Sequence, residues 1–106
     1  MQDIDHDRQE VKRLANRLLA MIGTAAPPAA CALSSIRWEL MRRLFTLLML
    51  EQLCGPRRRD MASDLLGRWK AHSLAWTTQR IGHDWDGYVV DAQTMLSEIS
   101  AFCEPA

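Results

Sequence analysis

The sequence predicts an all-α protein, folded as an antiparallel, up-down-up-down four-helix bundle. Three observations carry this expectation. Apolar residues recur with the 3.6-residue period of a helix, β-branched runs are few, and helix breakers interrupt the chain three times. The breakers are GTAAPPAA at 23–30, CGP at 54–56 and IGHD at 81–84. They leave short connections, which set consecutive helices side by side and antiparallel.

The first helix is expected over Ile4–Ile22, ending at Gly23, a natural C′ residue. Its apolar stripe is Ile4, Val11, Leu14, Leu18, Met21 and Ile22. The second spans Ala29–Leu53, with Ser34 or Ser35 as a later possible start. The third spans Arg58–Arg80 and carries Met61, Leu65, Trp69, His72 and Trp76 on one side. The fourth spans Asp84–Cys103, with Asp84 as N-cap and a row formed by Trp85, Val89, Ala92, Leu96, Ile99 and Phe102. Residues 1–106 read as one domain, since no repeat, low-complexity tract or second composition is visible.

Composition narrows the function classes. The 48% hydrophobic content is that of a globular chain, and 13 basic residues balance 13 acidic ones. That balance argues against a nucleic-acid binder working by phosphate neutralisation. Arg57, Arg58 and Arg59 form a small basic group, read as a solvated corner. Cys31, Cys54 and Cys103 are widely spaced and odd in number, as expected of reduced thiols. The polar start MQDIDHDRQE lacks the apolar core of a secretion signal, and Gly23 and Pro27-Pro28 break the longest uncharged run. The expectation is a soluble, cytoplasmic protein that does not enter membranes.

Few polar residues face inward. Residues placed at about 100° intervals put Ile36, Leu40, Leu44, Leu47 and Leu48 on one arc of helix 2. Glu39, Arg42, Arg43 and Thr46 lie opposite, and Glu51 falls on the apolar arc. A bare buried carboxylate is costly, so Glu51 either reaches solvent past the helix end, finds a hydrogen-bond partner or ligates a metal. His72 shares a stripe with Leu65, Trp69 and Trp76, as a core residue or a ligand. His6 faces away from the stripe of helix 1, and Asp7 faces towards it. His83, Asp84 and Asp86 have the composition of a metal trap, but carboxylates also gather at helix starts for capping. No HExxH, Gly-rich phosphate loop or Ser/His/Asp order appears, and no nucleophile can be named beside Glu51 or His72, so no enzyme activity is expected. The four tryptophans read as core or groove aromatics; one left exposed would mark a partner surface.

RLANRLLAMI, RWELMRRLFTLLMLEQLCGP and QRIGHDWDGYVVDAQTML together resemble small bacterial hemerythrin-like proteins of the HHE cation-binding type. The resemblance implies a four-helix bundle whose interior histidines and carboxylates hold non-haem iron. Carried over position by position, it puts Arg8 in the histidine slot of the first helix. In the second helix, Leu47 precedes Glu51 where a histidine belongs; a register set on Pro56 gives Thr46 and Leu50 instead. Arg68 and His72 are the nearest match in the third helix. The fourth offers Glu98 and Glu104 without a histidine, and the family often continues beyond the position of Ala106 into its last ligand.

Two expectations follow. The first is a non-enzymatic, hemerythrin-like module with a lost or reduced metal site and no cofactor, acting through a protein partner or homo-oligomer. The alternative is a non-haem iron or cation binder that senses iron, dioxygen or nitric oxide. Its site would be a minimal one around Glu51 and His72, or one completed in a dimer.

Overall fold

In the computed structural model, residues 4–24 and 27–104 are described. Ala25 and Ala26, in the first expected loop, lie outside them. Every regular element is helical: α1 (Ile4–Ile22), α2 (Ala30–Glu51), α3 (Pro56–Ala75), α4 (Thr78–His83) and α5 (Trp85–Phe102). Helix α1 has the expected bounds, although Gly23 after it does not adopt positive φ. Helix α2 stops at Glu51, two residues before the expected end. Gly55 then turns the chain with φ of 103° and ψ of 165°, a conformation open to glycine, and Pro56 starts α3.

The expected third helix is two helices. Helix α3 ends at Ala75, and Thr77 takes an extended conformation whose hydroxyl accepts the Arg80 backbone N–H at 3.2 Å, capping α4. Two tertiary bonds hold the break open. The Trp76 carbonyl accepts from Arg37 on α2 at 2.7 Å, and the Trp76 indole N–H reaches Asp91 on α5 at 2.6 Å. They occupy the Trp76 carbonyl and indole N–H, while the Trp76 backbone N–H still donates to the His72 carbonyl at 3.0 Å. Asp84 caps α5 as expected, accepting from Gly87 N–H at 3.0 Å.

Helix α1 packs on α2 and α5, α3 packs on the same two helices, and α4 lies on α5. Leu14, Leu18, Leu40, Leu44, Leu47, Leu48, Leu96 and Ile99 are sealed from water between them. Each such burial contributes roughly 1.5–3 kcal/mol. Met61, expected inside, is partly exposed, while Tyr88 and Met95 join the core. No helix among the described residues is long and apolar enough to cross a membrane.

Helix α2 is apolar on two sides, which the single-stripe expectation missed. Its inward arc is buried as read, but Trp38, Met41, Phe45 and Met49 are exposed on another arc, Trp38 by 59%. They follow helical spacing and so form one stripe.

Candidate functional site

Glu51 is the last residue of α2 and has no solvent exposure, so its side chain does not reach water past the helix end. Two arginines hold it. Arg8, from the second turn of α1, grips the carboxylate with both prongs, Nη2 to Oε1 at 2.6 Å and Nε to Oε2 at 3.1 Å. Arg58, in the first turn of α3, donates to Oε2 and to the Phe102 carbonyl at the end of α5, with its guanidinium 4.0 Å from the Phe102 ring centre. The remaining Arg8 nitrogen reaches Asp5 at 3.1 Å. Burial pushes the Glu51 carboxyl up, but the hydrogen bonds and charges of the two guanidiniums outweigh it and hold it below the ordinary value of 4.5. Cys103 beside this cluster is pushed up to about 11 by burial and by the Glu51 carboxylate.

His72 belongs to a different cluster. Its Nδ1 lies 2.8 Å from Asp91 Oδ2, the oxygen that also accepts from Trp76. A carboxylate has no proton to give, so Nδ1 carries the hydrogen. Burial pushes the Asp91 carboxyl up, and the bonds from His72 and Trp76 bring it below its ordinary value of 3.8. The ring of His72 packs between Trp69 and Tyr88, at 5.4 and 6.0 Å between centres.

The two sequence-predicted ligands are therefore not brought together. Arg58, which touches Glu51, and His72 are separated by about 21 Å along α3 at 1.5 Å per residue. Glu51 has both oxygens occupied by guanidinium groups, and among the described residues no three His, Cys, Asp or Glu side chains group as metal donors. This donor set does not fit a hemerythrin-type iron centre. In the slot that the resemblance assigns to a histidine stands Arg8, a permanent cation that repels a metal and neutralises the carboxylate in its place. His6 is exposed, as the wheel placed it, and Asp84 of the H-D-x-D group serves as a cap.

Arg58 was missed because it sat inside an apparent basic corner. The signal was present: Arg58 precedes Ala62, Leu65 and Trp69 at helical spacing on the buried side of α3. Arg8 likewise heads the run Val11, Ala15, Leu18 and Ile22. Asp91 carried no such signal, since it lies on the exposed side of α5 and bends inward to His72.

The exposed stripe of α2 borders a groove. A depression of about 340 Å³ between Phe45 and Leu74 adjoins one of about 280 Å³ at Trp38 and Trp76. A third, of about 260 Å³, continues beside Pro28, Ile81 and Trp85. In comparisons with protein-family models, curated proteins and solved structures, nothing matches this chain.

Proposed function

We propose that the chain is a non-enzymatic helical interaction module, acting through a protein partner or through self-association. The carrying observation is the row Trp38, Met41, Phe45 and Met49, four large apolar side chains exposed along one face of α2. Burying such a row in a partner stabilises a complex, and tryptophan and methionine are favoured at interface cores.

The proposed architecture is an antiparallel, up-down-up-down four-helix bundle of hemerythrin-like type, with α4 inserted before the last long helix. The Glu51 cluster supports it, because residues from the start of α1, the end of α2, the start of α3 and the end of α5 meet there. On this reading an arginine–carboxylate–arginine bridge stands where the family it resembles would hold iron. It ties the helix ends together without a metal.

A photocrosslinking residue placed at position 45, with a control at exposed Arg17 on α1, tests the interaction in the native host cell. The expected result is adducts from position 45 in excess of those from position 17. Adduct mass tells a second copy from another protein. Equal, background-level adducts at both positions overturn the reading.

A further inference from the structure

The three depressions run end to end along one side of α2. The first shares Met41, Trp69 and Ser73 with the second, and the second shares Ser34, Arg37 and Thr78 with the third. From Phe45 back to Ala30 the groove follows about 22 Å of helix, at 1.5 Å per residue. That is the length of a partner helix of about four turns, laid in by its apolar edge. The side chains of α3 and α4 form the other wall.

Charge selects the occupant. The residues lining the three depressions include Arg37 and Lys70 but no aspartate or glutamate. Arg42 adds a third cation, 5.4 Å from the centre of the Trp38 ring. Neither Arg42 nor Lys70 forms an ion pair among the described residues. The whole chain balances 13 basic against 13 acidic residues, so this one-signed face is a local arrangement. A second copy docked groove to groove about a two-fold axis would set this cationic face against itself. A nucleotide strand would find stacking faces in Trp38 and Phe45, but three cations on a chain with 13 basic and 13 acidic residues neutralise few phosphates.

Resting on the interaction reading above, we propose that this groove binds an amphipathic helix of another protein, about four turns long, whose apolar edge is flanked by aspartate or glutamate. The apolar edge covers the Trp38–Met41–Phe45 stripe. The flanking carboxylates meet Arg42 and Lys70, steer the approach and reject basic helices.

The probe is a displayed library of helices of about 16 residues, with leucine or tryptophan fixed at i, i+4, i+7 and i+11 and the other positions random, selected on the full chain. Enriched members are expected to carry Asp and Glu beside the anchors. By fluorescence anisotropy, a lysine-flanked twin should bind about tenfold more weakly or less. The acidic probe should weaken as salt rises to about 1 M, where charges are screened beyond about 3 Å. Phe45→Glu, with the melting temperature unchanged, should abolish binding, and the Arg42→Glu/Lys70→Glu double variant should invert the preference between the twins. No enrichment, enrichment of basic flanks, or binding indifferent to Phe45→Glu overturns the proposal, as does an oligonucleotide that displaces the acidic probe from the groove. If position 45 crosslinks while no library helix binds, the interaction reading stands and this proposal falls. If neither occurs, both fall.

Discussion

Arg8 and Glu51 stand 43 positions apart in the chain, yet face each other through two hydrogen bonds of 2.6 and 3.1 Å. With Arg58 on the same carboxylate, the pair forms a charged link between α1, α2 and α3 inside an otherwise apolar contact. Such a link is far more costly to break on one side than to replace entirely.

Glu51→Gln leaves two guanidiniums around a neutral amide. Breaking a buried pair costs about 3–5 kcal/mol. The lower end applies here, because Arg8 and Arg58 keep 23% and 26% of their side-chain surface exposed. Urea denaturation should show this loss. The triple variant Arg8→Met/Glu51→Leu/Arg58→Met should recover most of it, since apolar side chains of similar volume need no partner. A triple variant as unstable as Glu51→Gln would show that the link does more than satisfy its own charges.

The same carboxylate sets an acid limit. Its folded value lies below the unfolded value near 4.5, so its contribution is complete above that pH and is lost as pH falls through the lower folded value. The urea midpoint should therefore drop with acidification below 4.5, and less steeply in Glu51→Gln. A residual drop in that variant belongs to carboxyls such as Asp91 and Glu10, whose values are also lowered on folding, from 3.8 and 4.5. An identical acid profile in the wild type and Glu51→Gln would contradict the assignment.

Ferrous iron added anaerobically to protein purified without chelator should bind below one equivalent and leave the melting temperature unmoved. A ligand that prefers the folded chain must raise it. One tightly held iron per chain, lost in His72→Ala, would instead establish the iron-binding alternative, with donors supplied across a dimer.

Gly55 holds φ of 103° at the start of α3, where any side chain would be strained. Gly55→Ala should lower stability by about 1–3 kcal/mol in thermal melts, by the usual cost of such backbone strain. The space around Gly55 is open, so the loss is backbone strain with no clash contribution. An unchanged melt would show that the turn can relax.

The legible parts of this protein were local ones. The bounds of α1, the Asp84 cap and the inward arc of α2, Glu51 included, all follow from spacing within one helix. The break at Trp76 did not, because it depends on Arg37 and Asp91, which lie 39 residues before it and 15 after it. The exposed row on α2 was hidden for a related reason. A helix with apolar residues on two arcs does not declare which one its neighbours will cover.

The sequence by itself determined that the chain is helical and that a carboxylate, Glu51, sits on an oily face, since the 3.6-residue period is written in adjacent turns. What that carboxylate meets was decided by the tertiary structure. Arg8 and Arg58 arrive from two other helices, and their convergence depends on how those helices register against α2. The same packing left Trp38 and Phe45 exposed, because the arc of α2 that its neighbours cover is the one carrying Leu40, Leu44, Leu47 and Leu48.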